Sequence, residues 1–377
     1  MVEYLKKTQI AISEPKLSHD PERNEWNLSY NVAGEDVYFR SKTELVPASE
    51  AMVAAFFLQS LADQSPIIPS EPLDSVFTEN LKSVAATAKE YWGFEGSQPN
   101  AKTTQKVSLS DKVGIFFTGG VDSFYTLRRN LNEVDCLINV HGFDITLEDA
   151  ERYDKSVAGL QSVSKALKLE LILIETNLKS HFLFRQLNWE ITHIAALSAI
   201  AHMLQKRIGT VRLASSDVPP PWGSHPDLDK LWSGSSLKVV NDEYNVSRFD
   251  KVREIIDWIP VQHFLKVCWQ NLNSDLNCGY CEKCLRTQAA ILAAGGDLRN
   301  FEVFPEGDLP SAIIDLKYIA PSLHNQWRRL HGELKDKRLR RAITRTMFGS
   351  PLVRGFKRLG ITRTRFKKLA SHVRLSR

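Results

Sequence analysis

The sequence predicts an α/β fold built on a doubly wound parallel sheet, and three observations carry that prediction. From about residue 112, short apolar runs without alternation take turns with helical patterns: "KVGIFF", "VDCLINVH", "ELILIET" and "TVRLA" are each followed by a segment of helix or loop character. Strands that read as continuous apolar runs are buried on both faces, as in a parallel sheet covered by helices. The first run ends in Gly-Gly just before a helical pattern, and right-handed crossovers put such turns at the carboxyl edge of the sheet, where ligands bind. The composition, 43% hydrophobic and 25% charged over 377 residues, is that of a globular chain long enough for two domains.

Residues 1–105 predict a small α+β domain. "NEWNLSYNVAGEDVYFRS" partly alternates apolar and polar residues about a turn at Gly34, as paired strands do. Two helical patterns follow, "ASEAMVAAFFLQSLAD" and "DSVFTENLKSVAATAKEYWGF", separated by the proline-rich "SPIIPSEP". The polar, aperiodic "GSQPNAKTTQKVSLSD" predicts a linker. Residues 106–300 hold the α/β domain, with helices over "DSFYTLRRNLN", "LEDAERYDKSVAGLQSVSKALKL" and "WEITHIAALSAIAHMLQKRI" between its strands and a later helix over "SRFDKVREIIDW". Residues 301–330 form a helical extension and 331–377 a basic tail. No repeat is visible, no segment nears the ~20 apolar residues of a membrane span, and "MVEYLKKTQIAISEP" has no apolar run of signal-peptide length. The expectation is a cytoplasmic protein whose five cysteines are metal ligands rather than disulfide partners.

In "FFTGGVDS" Gly119 and Gly120 lie in a strand-to-helix turn. Glycines there let the backbone take positive φ and bring an anion close to N–H groups, while the helix N-terminus adds partial positive charge. A plain turn capped by Asp122 or Ser123 reads much the same. Against it stands the set of hydroxyl, Gly-Gly, acid and hydroxyl within one turn at the right end of the first strand. Neither Walker A nor G-x-G-x-x-G fits. The stretch resembles the PP-loop of the N-type ATP pyrophosphatases, Ser-Gly-Gly-x-Asp-Ser, with Thr118, Gly119, Gly120, Asp122 and Ser123 in register and Thr in place of the first Ser. The resemblance implies an adenine nucleotide alpha hydrolase-like fold, a loop that grips the pyrophosphate part of ATP, and Asp122 helping to hold Mg²⁺.

"KVCWQNLNSDLNCGYCEKCLRT" sets Cys268, Cys278, Cys281 and Cys284 in a C-x9-C-x2-C-x2-C pattern. Overlapping C-x-x-C steps wrap thiolates around one ion, and a fourth closes the tetrahedron that structural Zn²⁺ prefers. An iron–sulfur cluster also takes four thiolates, so it stays as an alternative, as does a site without metal. Four thiolates on Zn²⁺ leave a formal charge of −2, which Lys266, Lys283 and Arg286 are placed to offset. Such a site has no open coordination position and would be structural.

The two motifs together resemble the 7-cyano-7-deazaguanine synthase (QueC-like) family over about residues 107–298. The resemblance implies an ATP-dependent carbon–nitrogen ligase that adenylates a carboxylate, forms an amide with ammonia, and dehydrates it to a nitrile after a second activation. Its substrate would be like 7-carboxy-7-deazaguanine, and its cysteines would bind zinc. The resemblance further implies adenosine contacts from His141 and Phe143, where the sequence has "VHGFDITLED" in place of the family's Phe-Asp-Tyr-Gly-Gln, and a cation such as Lys251 or Arg253 near the triphosphate. Such a cation near the bridging oxygen would stabilise the leaving pyrophosphate, which makes Asp122, Ser123 and Lys251 the candidate catalytic residues; a solvated helix face is the alternative. The loop "LASSDVPPPWGSHPDLDKLWSG" follows the fourth strand, so Ser215, Ser216, Asp217, Trp222 and His225 are candidate substrate contacts, although its prolines and glycine also fit a rigid loop. His193, within an apolar helix, reads as a packing histidine.

From Arg328 to Arg377 there are 17 Lys or Arg against two acids, leaving 32 bases and 42 acids before them. Nucleic acid, an anionic membrane surface, or an acidic body of this chain or of a twin in a homodimer would each suit that tail. Two rival functions remain open: insertion of sulfur into tRNA, with Cys136 as the carrier thiol, and an ATP-binding partner module without catalysis. The tail and the front domain also make a nucleic acid or protein acceptor conceivable.

Overall fold

A computed structural model of the protein describes residues 9–216, 218–270 and 275–348. Two compact units divide the chain. One takes the residues up to Lys251 together with Phe264–Lys266, and the other takes Val252–His263 and the chain from Val267 onward.

The first unit is an α/β body around one eight-stranded sheet. Its strands are β1 (Lys16–Asp20), β2 (Glu25–Val32), β3 (Glu35–Ser41), β4 (Val113–Phe116), β5 (Cys136–His141), β6 (Glu170–Thr176), β7 (Thr210–Ala214) and β8 (Lys238–Asp242). Their order across the sheet is β8-β7-β4-β5-β6-β3-β2-β1. The five strands from β4 onward in sequence pair in parallel, whereas β3, β2 and β1 are antiparallel. Four of the five parallel strands, β4 to β7, are the unalternating apolar runs of the sequence. β8 was not read as a strand, because "KVVND" has only two apolar residues.

The predicted boundary at residue 105 is not a boundary in the structure. β3 runs antiparallel to β6, pairing Thr176 with Phe39 and Ile174 with Ser41. Asn177 takes Tyr38 N–H on its side-chain oxygen and donates to Asp36 O, both at 2.9 Å. The buried His181 ring donates to Val32 O at 3.1 Å. Helices α1 (Ser49–Asp63) and α2 (Ser75–Trp92) belong to the same core. α1 is buried along nearly its whole length, which its continuous apolar run "AMVAAFFL" requires. The segment read as a linker is also tied down: Lys106 Nζ pairs with the buried Glu50 at 2.9 Å, and a Cβ on Gly209 would lie 1.9 Å from Ser110 O.

Crossover helices α3 (Val121–Arg129), α4 (Ala150–Leu167) and α5 (Trp189–Met203) follow β4, β5 and β6. Helix α6 (Arg248–Ile255) follows β8.

The second unit is helical. α7 (Glu282–Ala293), α8 (Leu309–Asp315), α9 (His324–Glu333) and α10 (Lys337–Phe348) surround a small core that includes Leu285, Ile313, Trp327, Leu330 and Ile343. The fully buried Trp327 donates its indole N–H to Glu282 at 2.8 Å. The cysteine cluster lies in this unit, not in the α/β body to which the sequence assigned it.

Candidate anion site and metal centre

The order β8-β7-β4-β5-β6 reverses direction between β4 and β7, so their carboxyl ends flank the point where doubly wound sheets bind ligands. β4 runs into the Gly-Gly turn there. Phe117 is buried and donates its N–H to Ile138 O at 2.8 Å, fixing the exit of the strand. Thr118 is exposed, and Gly119 takes a φ of +74° that a side chain would strain. A Cβ at Gly119 would also crowd Phe264 O at 3.3 Å. Gly119 O accepts from Lys266 N–H at 2.8 Å, so the Lys266 backbone braces this turn. Gly120 is the N-cap of α3, and the buried Ser123 donates its hydroxyl to Gly120 O at 3.1 Å.

Asp122 stands in the first turn of α3, where the helix dipole favours a carboxylate. Two cations of α6 hold it: Arg248 Nη1 lies 2.6 Å from Oδ2, and Lys251 Nζ lies 3.2 Å from Oδ1. Lys251 has no exposed surface. Its ammonium also donates to Ser215 O and sits 5.6 Å from the centre of the Tyr125 ring. One buried lysine thus ties the end of β7 to the first turn after β4. Ser215 Oγ is buried with no hydrogen-bond partner among the described residues. A buried hydroxyl left unpaired carries a desolvation cost that a ligand acceptor or donor would relieve.

The structure therefore brings Thr118, Gly119, Gly120, Asp122, Ser123, Ser215 and Lys251 to one place. Sequence reading missed Arg248 and weighed Arg253 in its stead. The signal was available, because Arg248 and Lys251 are three apart and share a helix face, whereas Arg253, two beyond Lys251, faces elsewhere and is exposed.

His141 and Phe143 end β5 and have both rings engaged by protein. His141 stacks on Tyr153 with centroids 3.8 Å apart, donates to Thr146 O at 3.2 Å, and lies 3.6 Å from Glu175. Phe143 is buried against Trp189, and its carbonyl accepts from Lys179 Nζ at 2.7 Å. Between them Gly142 has a φ of +101° and a Cβ there would fall 2.0 Å from Thr176 O, so the strand end requires glycine. Burial lowers the Lys179 pKa, and its ammonium lies 4.5 Å from the centre of the Trp189 ring.

Along the loop after β7, Ser216 is half-buried and Asp217 lies outside the described residues. Trp222 is half-buried, 5.9 Å from the His193 ring, and Gly223 N–H anchors the loop to Glu190 O at 2.9 Å. His193 donates Nδ1–H to Trp189 O at 3.1 Å, and burial depresses it to about 4, leaving it neutral. His225 accepts Asp227 N–H at 3.3 Å on Nδ1 and so caps the single turn Pro226–Asp229. The fully buried Asp229 accepts from Ser224 Oγ, His225 N–H and Asn241 Nδ2, at 2.8, 3.0 and 2.6 Å, and burial raises it to about 6.

In the second unit Cys268, Cys278, Cys281 and Cys284 are all buried, with sulfurs within 4.8 Å of one another. The Cys268–Cys281 and Cys278–Cys284 pairs are 3.9 and 4.0 Å apart. A tetrahedron of Zn–S bonds of about 2.3 Å has edges of roughly 3.8 Å, so the four side chains fit a single ion. An iron–sulfur cluster puts several irons between its thiolates and spreads them further. The main chain is shaped to the cluster. Asn277 Oδ1 accepts Val267 and Cys268 N–H at 2.8 and 3.1 Å, and Gly279 takes a φ of +81°. Cys278 and Cys281 Sγ accept the N–H groups of Cys281 and Cys284 at 3.3 and 3.5 Å. Hydrogen bonding from Cys284 pulls the Cys281 thiol down to about 5, so one thiolate is preformed. Arg286 is tied to Glu282 and Gln326. Four such thiols could hold a metal such as zinc.

Comparison of the chain with protein-family models, with curated proteins and with solved structures finds no match. The site must therefore be argued from its own chemistry. A paired carboxylate, two cations, a helix N-terminus and an unpaired buried hydroxyl face the switch point of the sheet. Two cations against one carboxylate leave a net positive charge beside a helix N-terminus, which suits an anion. Among the described residues, no helix is long and apolar enough to cross a membrane.

Proposed function

We propose that the protein is a QueC-like, AMP-forming ligase. It would use ATP to adenylate a carboxylate resembling 7-carboxy-7-deazaguanine and convert the product to an amide or nitrile. The observation that carries this reading is the buried Lys251 joining Asp122 to Ser215 O across the switch point, with Ser215 Oγ left unpaired beside it. Thr118, Gly119, Gly120 and Ser123 would receive the pyrophosphate on backbone and hydroxyl groups at the start of α3. Asp122 would hold Mg²⁺, which when bound offsets phosphate charge.

The carboxylate oxygen attacks the α-phosphorus of ATP, the bond to the β-phosphate oxygen breaks, and pyrophosphate leaves. Lys251 and Arg248 would stabilise the charge that develops on that leaving group. Ammonia then attacks the acyl carbon, AMP leaves, and the nitrogen loses a proton to give the amide. A second ATP activates the amide oxygen, and loss of AMP with two protons gives the nitrile. The loop carrying Ser216 and Trp222 is the candidate for the acceptor.

Sulfur insertion needs a carrier thiolate. Cys136 is buried in β5, and burial pushes its thiol up to about 12, so it supplies none. The test is incubation with ATP, Mg²⁺, ammonium and 7-carboxy-7-deazaguanine, followed by mass spectrometry. AMP, pyrophosphate and an amide or nitrile, free or attached to protein, are expected. ATP binding without AMP formation would instead identify a non-catalytic partner module.

A further inference from the structure

Helix α10 separates two kinds of surface. Leu339, Ala342, Ile343, Thr346 and Met347 are buried, and Thr346 Oγ1 donates to Ile313 O at 3.0 Å, locking that face onto α8. The opposite face is exposed and carries Lys337, Arg340, Arg341 and Arg345, with Lys335 just ahead of the helix. Steps of four and three residues put Lys337, Arg341, Thr344 and Phe348 along its centre, over a rise of about 17 Å. Arg338, at the edge, pairs with Asp308 at 3.4 Å. The five cations Lys335, Lys337, Arg340, Arg341 and Arg345 have no ion-pair partner among the described residues.

We propose that this ridge of the second unit binds the phosphate backbone of single-stranded nucleic acid. The chemistry of the face favours that partner. An amphipathic helix that lies on a membrane must insert its apolar face, but here that face is already buried in the protein. A protein interface would need an apolar centre, whereas this face is cationic except for Thr344 and Phe348. Arginine outnumbers lysine, and its planar fork suits phosphate oxygens. Phe348, 53% exposed at the end of the ridge, offers a ring on which a base can stack. The chain continues with nine further Lys or Arg and no acid, so the charge does not reverse beyond it.

The test is fluorescence anisotropy on the full chain with labelled 20-nucleotide oligouridylate and oligodeoxythymidylate across a salt series. Each phosphate neutralised contributes about −0.7 to the logarithmic salt slope on a single strand. The triple variant Arg340→Ala, Arg341→Ala, Arg345→Ala removes three exposed cations and should fold as before. It should lose about two units of slope and at least tenfold in affinity at ~0.1 M salt. Phe348→Ala should weaken binding several-fold with the slope unchanged. Binding of one oligonucleotide and not the other says which sugar is preferred and supports the proposal either way. An unchanged slope in the triple variant would overturn it. So would stronger capture by phosphatidylserine vesicles than by either oligonucleotide, with loss of that capture in the triple variant.

Discussion

Ser215 offers the sharpest test at the scale of a residue, because structure and function push its substitution in opposite directions. Its hydroxyl is buried without a partner among the described residues, so Ser215→Ala should leave stability unchanged or raise it by about 1 kcal/mol. If the hydroxyl meets the nucleotide, the same change should lower ATP turnover about tenfold, the worth of one hydrogen bond. Thermal unfolding and pyrophosphate release measured on one preparation check both halves, and unchanged turnover would remove Ser215 from the site. Asp122→Asn is blunter. Lys251 is fully buried against that carboxylate, so the loss of turnover should come with about 3 kcal/mol of destabilisation. The phosphate loop itself was legible in the sequence, since hydroxyl, glycines, acid and hydroxyl sit side by side. Helical spacing puts Arg248 on the face of Lys251, but its pairing with Asp122 needs the fold, because 126 residues separate the two.

The same difference between local and distant information holds for the elements. The β4–α3 turn is spelled by its glycines, and Gly119→Ala should cost on the order of 1–2 kcal/mol through positive φ and crowding against Phe264 O. Urea unfolding would measure it, and a neutral result would contradict the strain. The alternation in "NEWNLSYNV" announces a half-buried strand but cannot name its neighbour. That β3 would extend the parallel sheet beside β6 depends on Asn177 and His181, which are more than a hundred residues away. Asp229 gives the link between the loop after β7 and strand β8 a pH dependence. Its folded pKa is raised from 3.8 to about 6, so its contribution to stability is fully present below about 4 and is lost as pH rises through 6. Hydrogen exchange of the Lys238–Asp242 amides should slow from pH 7 to 4.5, after correction for intrinsic rates, by the equivalent of about 2 kcal/mol. Asp229→Asn should flatten that profile.

For the whole molecule the question is what fixes the chain entering the helical unit, and the cysteine cluster answers it. The C-x2-C-x2-C spacing made the ligands legible, and their buried sulfurs converge to within 4.8 Å. The sequence could not say which unit they serve, because the chain leaves the sheet unit, returns for Phe264–Lys266 and leaves again just before Cys268. The sheet unit contains none of the four thiols, and its core closes without them. In the second unit they fix the start of α7, where Cys281 is the N-cap. A resident ion at a thousandfold excess over its dissociation constant stabilises its fold by about 4 kcal/mol. Elemental analysis should find about one zinc per chain. Chelation, or Cys281→Ser, should abolish hydrogen-exchange protection in α7 and α9 while β4, β5 and β6 keep theirs. Protection of α7 that survives removal of the metal would show that the cysteines pack as buried thiols and that Trp327, Leu285 and Ile343 suffice to hold the unit together.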